Sequence, residues 1–358
     1  MCSSDLDGRI AAVGSRAEVE AQRGPDTEVL ELGDHVLYPG FVEPHAHLWV
    51  SAVIDHWVDC SPITRGDVAS IHAALREAAA VLPADGWLMG KQYDPSLLAG
   101  EPALTRDLLD AIAPDHPAVV LNASLHYVYA NSRAIAAAGL DDASQAPDGG
   151  TFGRDESGRL DGSFGEMPAI GRILAAAPLT TPDELRDNVV DVLRTAARRG
   201  VTKLHEAGTG ALFGAGEIDI VHGLAQEGRL PARLTLAIFD NAARAFAATP
   251  VVPGAGDDLV RVTSWKVVAD GSNQGRSGFQ EQPYLGTEEC GHANYATDYL
   301  VDTIRTQAAA GWQVMVHANG DAAIEQVVTA YERALDGLGP ADLRHRIDRK
   351  STRLNFSH

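Results

Sequence analysis

From residue 181 onward the pattern of apolar and polar positions switches between two periods. One-sided helical spacing runs over 183–199, 217–227, 297–310 and 322–335, and short apolar runs of strand character lie between at 201–206, 233–238, 263–269, 313–317 and 345–347. Thr181 and Pro182 mark the first helix start, and Gly200 its end. Strands alternating with helices predict parallel pairing. A sixth strand comes earlier, where the Pro39-Gly40 turn releases an apolar run ending in His45 and His47. Six such strands make an incomplete TIM-type (β/α)8 barrel, two short of closure.

Between residues 47 and 201 the chain makes a long excursion. Helical spacing covers 69–82 and 131–138, and Thr105 caps a helix through 112 with Asp107 in its first turn. Strand character covers 87–94 and 118–121. Ahead of the barrel, 7–14 reads as a turn and a strand, with two further strands at 28–32 and 35–37.

With 358 residues, 45% of them hydrophobic, the chain can bury a large core, which argues against disorder. Its formal net charge of -20 repels nucleic acid and anionic membrane surfaces alike. The 3 cysteines, Cys2, Cys60 and Cys290, are too scattered for a disulfide framework or a thiolate zinc knuckle, and we expect a reducing, cytoplasmic setting. No apolar run approaches the 18 or so residues that cross a bilayer. A homo-oligomer is compatible with all of this. Both ends, 2–6 and 348–358, resemble translated sequencing-adapter DNA. The second carries one Asp against two Arg and one Lys in an otherwise acidic chain, so we expect a non-native tail there.

Chemistry concentrates where the strands end. In an α/β barrel the site lies at the C-terminal strand ends, which here carry His45 and His47, His205 and Glu206, Lys266 and Asp270, and His317. Alternation along a strand points His45 and His47 to the same side, and two neutral imidazoles are half a site for zinc or a similar ion. Lys266 stands in an otherwise apolar strand. It is either a neutral amine able to form a carbamate or an ammonium paired with Asp270 or Glu206. His317, just before a glycine turn, is either a ligand or a satisfied core histidine. The excursion adds Asn122-Ala123-Ser124-Leu125-His126, Asn131-Ser132, a glycine-rich stretch at 149–155, and Gly162-Ser163-Phe164-Gly165-Glu166.

The stretch Pro39-Gly40-Phe41-Val42-Glu43-Pro44-His45-Ala46-His47 resembles the opening strand of the amidohydrolase superfamily, and His317-Ala318-Asn319-Gly320-Asp321 resembles a later signature. With the excursion motifs, where Leu125 replaces a glycine, the order and spacing resemble the amidohydrolase family 3 group, which includes N-substituted formamide deformylases. The resemblance implies a remnant of a small flanking β-sandwich at 1–37, a barrel over 38–347, and a subdomain inserted at about 60–180. It implies one or two divalent metal ions, zinc foremost, held by His45, His47, a carboxylated Lys266 and His317. Lys266 and Asp270 are the catalytic candidates. His126, Glu166, His205 and Asp321 are the substrate-contact candidates.

The chain departs from the pattern at strand six. Where the family has Arg-x-Arg-Ile-Glu-His, it reads Arg344-His345-Arg346-Ile347-Asp348-Arg349, so Arg349 takes a ligand position. His345, four residues back, stands about 13 Å away along a strand. The strand-eight aspartate that serves as general base has no counterpart. The expectation is a metal-dependent hydrolase of C–N bonds in small amide or formamide substrates, written here as a truncated, catalytically incomplete fragment. Three alternatives stay open: a non-catalytic small-molecule-binding barrel, a mononuclear deaminase-like hydrolase, and a lyase or isomerase using His205 and Glu206.

Overall fold

The computed structural model describes residues 2–6, 9–98, 100, 104–178, 180–246, 251–339 and 341–348. The chain divides into two compact units, Met1–Gly40 and Phe41–His358. In the first, β1 (Cys2–Leu6) pairs antiparallel with β2 (Arg9–Gly14), and α1 (Arg16–Glu20) follows, closed by a Ser15–Glu18 capping box. The strands expected at 28–32 and 35–37 do not form. Val29, Leu30, Val36 and Leu37 are exposed, and a run without a neighbour to receive its backbone hydrogen bonds does not persist as a strand.

The second unit opens with β3 (Phe41–Ala46) and α2 (Leu48–Ile54). The excursion follows as β4 (Val58–Asp59), α3 (Pro62–Arg65), α4 (Val68–Ala79), β5 (Leu88–Tyr93), α5 (Arg106–Ile112), β6 (Ala118–Asn122), β7 (Tyr127–Ala130), α6 (Ser132–Ala137), β8 (Thr151–Arg154), β9 (Leu160–Gly165) and α7 (Glu166–Leu174). The alternating half is α8 (Pro182–Arg198), β10 (Val201–Thr209), α9 (Gly216–Gln226), β11 (Arg233–Phe239), β12 (Val260–Val268), α10 (Thr297–Ala309), β13 (Gln313–His317), α11 (Asp321–Leu335) and β14 (Arg346–Asp348).

The six barrel strands form one parallel sheet in the order β3-β10-β11-β12-β13-β14, curled into a half-barrel. Its order repeats the order in the chain, each strand lying beside the one before it. Val189, Val190 and Leu193 of α8 pack with Leu204, Leu234 and Leu236 of the sheet, and α10 and α11 cover β12 and β13 in the same way. Thr181 and Glu184 form a second capping box at the start of α8, and Gly200, at φ 87°, turns the chain into β10. The excursion builds a second six-stranded sheet, β4-β5-β6-β7-β9-β8, parallel at one end and antiparallel from β6 onward.

Candidate metal and substrate site at the strand ends

His45 lies near the end of β3, and His47 is the residue that precedes α2. Their Nε2 atoms stand 3.3 Å apart with the ring planes at 87°. His45 Nδ1 meets Asp348 Oδ1 at 2.6 Å, and Lys266 Nζ donates to the other oxygen, Asp348 Oδ2. Strand register explains the meeting. Lys266 pairs with Met315 and Met315 with Arg346, while Val268 pairs with His317 and His317 with Asp348. Lys266 and Asp348 therefore sit one alternation apart and share a face. The two edge strands touch through side chains at the sheet's curl.

Burial pushes the Asp348 carboxyl up, but the His45 hydrogen bond and the charge and hydrogen bond of Lys266 outweigh it, leaving its pKa well below the usual carboxylate range. An ionised carboxylate only accepts, so the proton of a neutral His45 sits on Nδ1 and its Nε2 is an acceptor. Lys266 is 2% exposed. It pairs with Asp348, while the Asp270 carboxylate is taken up by backbone amides. Sequence reasoning passed over Asp348, assigning it to the tail. The signal was an acidic residue closing a short strand, where the family pattern has glutamate.

His205 is buried, with Nδ1 2.9 Å from Thr235 Oγ1 and Nε2 3.3 Å from Met315 Sδ. Burial, then the charges of Arg346 and His45, push its pKa down to about 3, so it is neutral. Glu206 accepts from the Leu48 amide and, buried to 1% exposure, closes the start of α2 behind His47. Burial raises its pKa to about 8 against the pull of the Leu48, Gly208 and Trp49 amides. Successive strand residues face opposite sides, and among the described residues these two share no hydrogen-bond partner, which removes the geometric basis for an acid–base pair.

Asp270 is buried and spends its carboxylate on three amides: Asn319 at 2.9 Å, Gly320 at 2.8 Å and Phe279 at 2.9 Å. It ties the loop after β12 to the loop after β13. A Cβ on Gly320 would lie 1.7 Å from the Phe279 carbonyl oxygen, so only glycine allows that approach. His317 Nε2 lies 2.9 Å from Gly271 O and 3.5 Å from Asp270 Oδ1. Asp321 accepts from the Glu281 amide at 2.8 Å at the start of α11, which fits loop ordering.

At the excursion's edge, His126 Nδ1 and Glu166 Oε2 stand 2.9 Å apart. Burial raises the Glu166 carboxyl, but His126, with smaller help from Ser277 and His292, brings it below its ordinary value. Leu125 sits at φ 64°, in the left-handed region that the glycine of the resembled motif adopts without strain. Tyr127 reaches Gly275 O at 3.4 Å, so this edge borders the loop leaving β12.

The structure thus brings His45, His47, Lys266 and Asp348 into contact, places His317 beside Asp348 in register, and sets Asp270 and Asp321 in the loops. Among the described residues no group of three or more His, Cys, Asp or Glu side chains gathers as a metal site. The His45–His47 pair does fit an ion: two nitrogens each about 2.0–2.1 Å from a tetrahedral zinc stand about 3.3–3.4 Å apart. Arg349 and residues 350–358 lie outside the described residues.

A family model described as the amidohydrolase family matches residues 28–355. YtcJ of Bacillus subtilis is 28% identical over 333 residues, covering 91% of this chain and 61% of that protein. N-substituted formamide deformylase of Arthrobacter pascens is 33% identical over 162 residues, covering 45% of this chain and 30% of that protein. A crystal structure titled as an uncharacterized metal-dependent hydrolase from Pyrococcus furiosus superposes with a TM-score of 0.56 at 20% identity, covering 83% of this chain and 58% of that one. This chain therefore spans about three fifths of YtcJ, by that 61% coverage, and the structural likeness establishes a shared fold.

Proposed function

The chain belongs to the amidohydrolase family, and from that premise we propose that it serves a hydrolase cleaving a C–N bond in a small amide or N-substituted formamide. The observation that carries the reading is the His45–His47 pair, its Nε2 atoms 3.3 Å apart and one ring fixed by Asp348. The match to an N-substituted formamide deformylase supports the choice of bond. His45 and His47 would hold a divalent ion, zinc by their imidazole chemistry. When bound, the ion lowers the pKa of water and polarises a carbonyl.

The chain's own residues prepare that centre. Asp348 fixes the His45 tautomer so that Nε2 faces the ion position. Glu206, through the α2 amides, holds the backbone that carries His47. Asp270 anchors the loops that bear Gly271 and Asn319, both in contact with His317. The pairing of Lys266 with Asp348 favours a single ion and an unmodified lysine, because a carbamate on Nζ would press a second anion against that carboxylate. The small-molecule substrate and a cytoplasmic setting belong to the same proposal. No helix among the described residues is long and apolar enough to cross a membrane.

The test is zinc content of the purified protein by mass spectrometry, with amine release from N-benzylformamide followed in parallel. We expect about one zinc per chain, and loss of both zinc and amine release in His47→Asn and after chelation. Zinc-free protein that hydrolyses the formamide equally well would overturn the reading.

A further inference from the structure

We propose that Leu212 and Phe213 form the wall against which the substrate's apolar nitrogen substituent lies, so that the chain takes formamides bearing an aromatic or branched aliphatic group over small or charged ones. The inference rests on the C–N hydrolase reading above. A formamide carries only hydrogen on its acyl carbon, so any apolar group it brings is on nitrogen.

The place follows from strand register. Glu206 of β10 lies opposite Ala46, the residue between the two histidines. Two residues on, a Cβ on Gly208 would stand 3.8 Å from His47 Nδ1, in ordinary van der Waals contact. The chain then turns at once: the Ala211 amide donates to the Gly208 carbonyl at 3.2 Å, and the Gly214 amide to the Gly210 carbonyl at 3.2 Å. A bond from residue i+3 back to residue i keeps their Cα atoms within about 7 Å. Leu212 and Phe213 therefore follow directly on a turn that abuts the histidine pair.

The composition of this turn is a second observation. Gly210-Ala211-Leu212-Phe213-Gly214-Ala215 has no polar side chain, whereas turns are ordinarily rich in Asn, Asp and Ser beside Gly and Pro. Ala211, Leu212 and Phe213 are all exposed, the two larger at 42% and 39%. Consecutive exposed apolar residues are unfavourable in a folded chain unless they receive something.

The third observation is how firmly the turn is held. Glu217, at the start of α9 and 0% exposed, accepts from three of its amides: Gly210 at 2.6 Å, Leu212 at 3.0 Å and Phe213 at 2.8 Å. Gly210, at φ 95°, packs on the helical turn Asp240–Phe246, where a Cβ would lie 2.6 Å from the Phe246 ring. Burying a carboxylate is costly, and this one fixes the backbone beneath two exposed apolar side chains. A wall held in advance loses little freedom when a ligand settles on it. A turn that only reversed the chain would need neither the apolar side chains nor the clamp.

The experiment is binding of N-benzylformamide, N-methylformamide and N-formylglycine, measured by ligand-observed NMR, to the full chain, to the double variant Leu212→Ser, Phe213→Ser, and to Phe213→Arg. Circular dichroism checks folding, and amine release is followed in parallel. We expect the wild type to favour the benzyl compound by about tenfold or more, and the double variant to lose that preference with N-methylformamide changed less than about threefold. Phe213→Arg should gain about tenfold for N-formylglycine, whose carboxylate a guanidinium receives. An unchanged Kd for N-benzylformamide in the folded double variant, or an equal loss for N-methylformamide, would overturn the assignment, and amine release persisting beside it would leave the hydrolase reading intact. Selective binding without amine release would keep the wall and overturn the hydrolysis. A wild-type chain that binds none of the three and releases no amine would overturn both.

Discussion

Asp348→Asn keeps the shape of the side chain and removes the charge that Lys266 and His45 share. Lys266 is 2% exposed, and a buried ion pair broken on one side costs about 3–5 kcal/mol because the remaining charge loses its compensation. An asparagine oxygen still accepts one hydrogen bond, so we place the loss near the lower end, about 3 kcal/mol. The pH dependence adds a second signature. Asp348 has its folded pKa depressed, burial opposing and His45 with Lys266 prevailing. Its stabilisation is therefore full above the unfolded carboxylate value of about 3.9 and is lost as pH falls through the lower folded value. Urea denaturation followed by tryptophan fluorescence should show wild-type stability falling with acid below about pH 4, and a shallower acid slope in the variant. The double variant Lys266→Met, Asp348→Leu should recover most of the loss, since an apolar pair needs no compensation. A cost below about 1 kcal/mol with an unchanged acid slope would refute the reasoning.

Glu206 titrates with the opposite sign. Burial raises its folded pKa to about 8, so its contribution is full below the unfolded value of about 4.3 and is lost as pH rises through the folded one. Glu206→Gln should thus flatten the decline of melting temperature between about pH 5 and pH 8, and an undiminished decline would place its origin elsewhere. Asp270→Asn offers an amide nitrogen where the carboxylate received N–H donors. It should cost about 2–4 kcal/mol and speed tryptic cleavage at Arg276, read by mass spectrometry. Cleavage at the wild-type rate would show that the loop is held by other contacts.

The alternating half of the fold was legible because its signals are local. Thr181, Pro182 and Gly200 bound α8 to within a residue or two, and the strand runs at 233–238 and 313–317 appear where expected. The excursion was less legible because β7, β8 and β9 are antiparallel strands of four to six residues, too short to show a clear period, and β9 pairs with β7 across the whole of α6 and β8. The helix α2 was missed for a related reason. It is short, and its start is closed by the carboxylate of Glu206 from another strand, a cap that no residue next to Leu48 announces.

The same distinction separates the parts of the site. Individual candidates such as His45, His47, Lys266 and His317 could be picked out because strand ends in a parallel α/β fold are where chemistry belongs. Their partners could not, since partnership depends on how far the sheet curls. Asp348 is 82 positions from Lys266 and 303 from His45, yet one carboxylate serves both. That link bears on the proposal of a single ion, since an anion already bonded to Lys266 opposes a second negative charge on the same nitrogen. A chain in which Lys266 carried a carbamate would need Asp348 turned away, and His45 would then lose the partner that fixes its tautomer.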